Sequence, residues 1–216
     1  MKALKPKFTN SHQIYQDIKE SIIKLEIAPG AKINEAQLQE KYNISRTPIR
    51  ECLQRLVYDK LIYIVPRKGT FVTQVDIKEF KNIFEVKIEL EGLAGELAIK
   101  RSGESEKKII YDLLSNTKSV LEKGDYDELI DLDQKFHQKI REFSRNEEIK
   151  DILDNYNLKA TRFWYYTLDE VPEMEGFLKD FEDFYQCMEN QDVKRGREIC
   201  SNHVIRFIEY IKYKLF

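Results

Sequence analysis

The sequence predicts a mostly α-helical fold in two parts: three short helices closed by a β-hairpin over residues 1–75, then an all-helical antiparallel bundle over residues 76–216. Three observations carry this expectation. Apolar residues recur at helical spacing through most of the 216 residues, with only 8 Gly and 5 Pro to interrupt them. One stretch, Leu61 to Thr73, switches to the branched and aromatic content of strands. Charge divides along the same line, with 13 Lys+Arg against 7 Asp+Glu in the first 75 residues and 23 against 31 in the remainder.

The first helix is expected from about Ser11 to Glu26, because Ile14, Ile18, Ile22 and Leu25 share one face. Pro29-Gly30 breaks the chain, and Asn34 then caps a short helix whose third position, Gln37, completes a capping box. Asn43-Ile44 makes a turn. Ser45 caps a third helix that ends near Asp59, with Pro48 tolerated in a first turn whose N–H groups lack intrahelical acceptors. Ile49, Cys52, Leu53, Leu56 and Val57 form its buried side, which leaves Arg46, Thr47, Arg50 and Gln54 on or near the other. Residues 61–65 and 70–73 read as two strands joined by Pro66-Arg67-Lys68-Gly69, so the unit as a whole is a winged helix-turn-helix.

From Asp76, whose capping box is completed by Glu79, the expected helices span 76–100, 104–123, 125–144, 146–168, 174–190 and 192–214. Ser102-Gly103, Gly124-Asp125, Asn146, Pro172 and Asn190-Gln191-Asp192 supply the breaks. Short connections between helices of this length fit an antiparallel bundle. Gly92 and Gly95 on the first long helix permit close approach of another helix, within the domain or across a dimer.

Composition narrows the function classes. With 42% hydrophobic and 34% charged residues the chain is an ordered globular protein rather than a disordered one. No apolar run approaches the roughly 20 residues of a membrane span, and the first residues lack an apolar leader core, so a cytoplasmic location is expected. Cys52, Cys187 and Cys200 are odd in number and widely spaced, which fits small buried side chains rather than a disulfide framework or a zinc knuckle. No nucleophile elbow or cofactor loop points to an enzyme.

Arg46 and Arg50 lie four residues apart on a helix that would fit the major groove of double-stranded DNA. An arginine fork pairs with the O6 and N7 acceptors of guanine, whereas the hydroxyls of Ser45 and Thr47 suit phosphates. Arg67 and Lys68 at the wing tip reach the backbone or the neighbouring minor groove. A pair of arginines so spaced is often only a solvated face, but its place at the start of a recognition helix, before a basic wing, favours DNA.

Residues 33–72 closely resemble the DNA-binding domain of the GntR family of bacterial transcriptional regulators, and Ser45-Arg46-Thr47-Pro48-Ile49-Arg50-Glu51 matches that family's most specific stretch. The resemblance implies that Arg46 and Arg50 contact guanines, that Ser45 and Thr47 contact phosphates, and that Gly69 lets the wing enter the minor groove. It further implies a homodimer on a pseudopalindromic operator. Two positions depart from the pattern: Ala36 stands where members often carry an arginine, and Lys60 where a glycine commonly precedes the first wing strand.

In the second part, Asp133 and His137 sit four apart on one helical face and His203 lies on the last helix. Carboxylate and imidazole together suit a borderline divalent cation, although an isolated pair of this kind more often serves as a cap, a salt bridge or a satisfied core histidine. This part resembles the ligand-sensing domain of the FadR-like branch of the same family in its shorter, six-helix form, through Asp133, Phe136 and His137. The resemblance implies a metal, such as Zn or Ni, held by Asp133, His137, His203 and a further histidine. Phe181 occupies that further position and cannot ligate, so two alternatives stand: a three-ligand metal site, or a metal-free pocket for a small-molecule effector such as an organic acid. Arg162 is the expected partner of an acidic effector, Phe181 would shape the pocket toward an apolar or aromatic one, and Tyr185 and Cys187 are conditional substitute ligands.

Overall fold

The computed structural model describes residues 11–167 and 175–215. Helix α1 (Ser11–Ile23) forms because Ile14, Ile18 and Ile22 recur on one face, and all three are buried. After the break at Gly30 a two-residue strand, β1 (Lys32–Ile33), precedes α2 (Glu35–Tyr42). Asn34 caps α2 through its side-chain oxygen, which accepts from the N–H groups of Ala36 at 3.0 Å and Gln37 at 3.4 Å. Asn43 ends the helix in the left-handed conformation, φ 52°, and thereby turns the chain into α3 (Arg46–Tyr58).

Strands β2 (Ile62–Val65) and β3 (Gly69–Val72) pair antiparallel with Val65 opposite Gly69, and β1 adds to the far edge of β3, giving the order β1-β3-β2. The strand β1 went unforeseen because two residues carry no alternation to detect. The first core gathers Ile14, Ile18 and Ile22 from α1, Ile49, Leu53 and Leu56 from α3, and Ile62 and Val72 from the sheet.

Among the described residues, six helices follow: α4 (Ile77–Arg101), α5 (Glu104–Lys123), α6 (Tyr126–Phe143), α7 (Glu147–Thr167), α8 (Glu175–Asn190) and α9 (Val193–Leu215). Their starts are set by local side chains. Asp125 accepts from the Glu128 N–H at 3.1 Å, Asn146 from the Ile149 N–H at 3.2 Å and Asp192 from the Arg195 N–H at 3.1 Å. Pro172, expected as a break, lies outside the described residues, as do residues 1–10. Contacts divide the chain into a unit that ends at Asp76 but also takes in Thr161–Tyr166, and a second unit from Ile77 to Ala160 and from Thr167 onward.

Gly92 and Gly95 serve packing inside the second unit. A Cβ on Gly95 would lie 2.5 Å from Cys200 Sγ and 3.2 Å from the Gly196 carbonyl oxygen, so α4 and α9 approach along a line that only small residues permit. The second core lies beside this contact and includes Ala98, Ile99, Phe136, Phe181 and Phe184. All three cysteines are free and buried. Among the described residues no helix is long and apolar enough to cross a membrane.

Candidate functional site

Two groups of side chains stand out, one on each unit. On the first, Ile49, Cys52, Leu53 and Leu56 anchor α3 in the core, and the 3.6-residue period therefore turns Arg46, Thr47 and Arg50 outward. Ser45 occupies the cap position with extended backbone, but its side chain makes no cap hydrogen bond, contrary to expectation. Ser45 is exposed beside first-turn N–H groups that lack intrahelical acceptors, a combination suited to a phosphate oxygen.

Arg67 and Lys68 are exposed at the tip of the hairpin, with Arg67 at φ 64°. Gly69 has a local reason to be glycine. Its φ is 125°, and a Cβ there would come within 2.8 Å of Lys32 Cε. Lys60, where a glycine is common in the resembling family, sits at φ 59°, which explains that preference in backbone terms.

One residue on this face was missed in the sequence. Glu35, in the first turn of α2, accepts hydrogen bonds from Arg46 Nε at 3.3 Å and Arg50 Nε at 3.4 Å through the same oxygen. Nothing in the spacing signals this, because the contact depends on how α2 crosses α3.

On the second unit, Asp133, His137 and His203 come together in the buried interior, each able to offer one atom to a cluster no more than 4.8 Å across. Asp133 and His137 project from successive turns of α6, and His203 arrives from α9. His203 Nε2 lies 3.0 Å from Asp133 Oδ1, and His137 Nε2 lies 3.9 Å from Asp133 Oδ2. Tetrahedral zinc with bonds of about 2.0–2.1 Å places its donor atoms about 3.3 Å apart, so this spacing suits a divalent cation.

The outer nitrogen of each ring faces a second carboxylate, hydrogen-bonded in the case of His203 and by proximity alone in the case of His137. His137 Nδ1 lies 3.2 Å from Glu91 Oε2, and His203 Nδ1 lies 3.0 Å from Asp180 Oδ2. Each of those carboxylates is in turn held by cations: Glu91 by Lys87 at 2.5 Å and Arg141 at 3.3 Å, and Asp180 by Arg206, whose Nε is 3.1 Å away. Carboxylates placed behind imidazoles fix the ring tautomer and aim the inner nitrogens, an arrangement usual behind metal-bound histidines.

The electrostatics agree. Burial opposes the charge on Glu91, yet His137, Lys87 and Arg141 overcome it and hold its carboxyl well below the usual range. Burial lowers the pKa of His137, with Lys87 adding to the effect against the pull of Glu91 and Asp133. Burial also opposes the charge on Asp133, but the two histidines prevail and its pKa is lowered. A neutral imidazole and an ionised carboxylate are the forms that bind metal. His203 faces a carboxylate at each nitrogen, and a ring with one proton can donate to only one of them.

Phe181 lies beside the three expected ligands. It is buried, stacks on Phe136 with centroids 3.8 Å apart, and lies 5.8 Å from the His203 ring, so the position of a further ligand is filled by packed aromatic carbon. The Arg162 guanidinium donates to Thr73, through Nη1 to the hydroxyl at 2.8 Å and through Nη2 to the carbonyl oxygen. Periodicity shows that α7 has an inner face but not what lies opposite it. Tyr185 packs against Tyr111 of α5 at 5.6 Å instead, and Cys187 is part of the core. Glu91, Lys87, Arg141 and Asp180 were not foreseen, since buried charges look in sequence like a solvated face.

Residues 10–72 match the family model described as bacterial regulatory proteins, gntR family, and residues 82–206 match the FCD domain. An uncharacterized HTH-type transcriptional regulator, YdhC of Bacillus subtilis, is 31% identical over 206 residues, covering 94% of this chain and 91% of that protein. The HTH-type transcriptional repressor RspR of Escherichia coli is 23% identical over 209 residues, covering 97% and 92%. Among solved structures, E. coli McbR/YncC superposes with a TM-score of 0.84 at 20% identity over 95% of this chain and 98% of that one, which shows a shared fold. The chain therefore belongs to the GntR family of bacterial regulatory proteins, as a DNA-binding transcriptional regulator, not an enzyme, with an FCD domain as its C-terminal effector-sensing part.

Proposed function

We propose that the protein works in the cytoplasm as a homodimer that binds a pseudopalindromic duplex operator, and that occupancy of the buried Asp133–His137–His203 centre sets its affinity. In each half-site α3 enters the major groove, Arg46 and Arg50 read guanines, Ser45 and Thr47 hold phosphates, and Arg67 and Lys68 of the wing follow the backbone. Gly69 keeps the wing narrow enough for the minor groove. The FadR-like branch, with its six-helix sensing domain, is the part of the family this reading favours.

The observation that carries the sensing half is the convergence of two histidine Nε2 atoms on one buried carboxylate, each ring backed by its own carboxylate. Asp133, His137 and His203 would hold a Zn²⁺ or Ni²⁺ ion, which as a Lewis acid supplies open positions for a small organic acid. Phe181 and Phe136 make the adjoining wall apolar, which favours an effector with a hydrocarbon or aromatic portion. The metal-free version of this reading has the same three residues hydrogen-bonding the effector directly.

The test starts from metal-stripped protein and a duplex recovered from a randomised pool. Adding Zn²⁺ or Ni²⁺, with and without a panel of small carboxylic acids, is expected to change the duplex affinity of the wild type and not of Asp133→Ala. An affinity that ignores both additions removes the sensing half of the proposal and leaves the DNA-binding half standing.

A further inference from the structure

The two recognition arginines are tied together by Glu35, and the way they are tied has a consequence for what they can read. Both bonds use Nε, at 3.3 Å and 3.4 Å, and both end on Oε2 of Glu35. The guanidinium is a rigid plane. Fixing its Nε edge therefore orients the opposite edge, Nη1 and Nη2, which is the edge that makes a two-pronged contact to guanine O6 and N7.

The setting makes the contact cheap before binding and consequential after it. The arginine side chains are 63% and 58% exposed and that of Glu35 28%, so in water the pairs add little to stability. Closing a DNA groove over them excludes water and strengthens the same attraction. A carboxylate on a face that meets phosphates is otherwise a burden, since it repels the polyanion at every sequence. Its position is defensible only where it sharpens discrimination more than it costs in general affinity. Ala36, the neighbour of Glu35, contributes no cation to this face, whereas Arg46 and Arg50 are both held by Glu35.

We propose that Glu35 is a specificity-determining positioning residue: it orients Arg46 and Arg50 end-on toward guanine and lowers affinity for duplexes that lack guanine at those places. This rests on the reading of α3 as the helix that enters the major groove. On the duplex Glu35 remains on the arginines and touches no base.

The experiment uses full-length wild type, Glu35→Gln, Glu35→Ala and Arg46→Ala, each first shown by its thermal transition to be folded. Sequences are selected from a randomised duplex pool at one ionic strength. Affinities are then measured for the recovered duplex, for versions with each preferred guanine pair replaced, and for a scrambled duplex. Glu35→Ala is expected to lose about tenfold of the preference at each of two guanines per half-site, within the range a forked contact provides. Its affinity for the scrambled duplex should not fall. Glu35→Gln, which keeps an acceptor but no charge, should lie between Ala and wild type.

Three results overturn the role of Glu35: an unchanged guanine preference in Glu35→Ala, an equal loss on selected and scrambled duplexes, or a lost preference at a cytosine-bearing position alone. The last would mean that the carboxylate reads a base itself. If the wild type enriches no common sequence, or Arg46→Ala enriches the same one, the groove-reading assignment of α3 fails, and the Glu35 role fails with it.

Discussion

Glu91 shows how much a single side chain can decide in this protein. Its carboxylate is buried, accepts from Lys87 and Arg141 and lies 3.2 Å from Nδ1 of His137, so it joins α4 to α6 beside a candidate ligand. Glu91→Gln would leave two buried cations short of a counter-charge, and a loss of about 3–5 kcal/mol is expected from urea unfolding. A loss below about 1 kcal/mol would mean that water reaches the cluster. At the centre itself, His203→Ala should abolish retention of stoichiometric Zn²⁺ or Ni²⁺ after desalting, as read by elemental analysis, whereas Tyr185→Phe should leave it unchanged because that ring packs on Tyr111. Asp133 and His137 were legible from their four-residue spacing on one helix. Glu91 and Asp180 were not, because their partners are brought to them only by helices distant in sequence.

Among the elements, local chemistry and packing leave separate marks. The turn into β2 places Lys60 at φ 59°, a conformation that costs a non-glycine residue about 1 kcal/mol. Lys60→Gly is expected to raise the unfolding free energy by up to about that amount, less the extra freedom glycine gives the unfolded chain. A destabilised Lys60→Gly would show that the lysine side chain makes a compensating contact. The α4–α9 contact is the converse case, in which space is short. Gly95→Ala should destabilise by about 1–3 kcal/mol, since its methyl would press on Cys200 and on the Gly196 carbonyl oxygen. Helix ends were readable from Asn34, which caps as expected, and from Asp125, Asn146 and Asp192, expected as breaks and found to cap, whereas Ser45 takes the cap position without the bond.

For the whole molecule, the division of charge predicts behaviour that neither unit shows by contact. The basic N-terminal part should give duplex binding that weakens steeply with salt, while the acidic remainder limits attachment to nucleic acid at large. Replacing Arg46 and Arg50 together by alanine should remove the difference between selected and scrambled duplexes at fixed ionic strength. Retention of that difference in a folded double variant would end the case for α3 as the reading helix. Light scattering of the purified protein should give about twice 25.8 kDa if two copies are needed to span the two half-sites.

Helix and strand periods, cap residues and the Ser45–Glu51 stretch were enough to determine the kind of fold, the exposed arginines and the family, because those properties depend on neighbours within a few residues. Which carboxylates stand behind the histidines, where Arg162 points, and that Glu35 holds both reading arginines were decided only by the tertiary structure. A one-dimensional pattern records which face of a helix is inward. It carries no record of the side chain that another helix sets against that face.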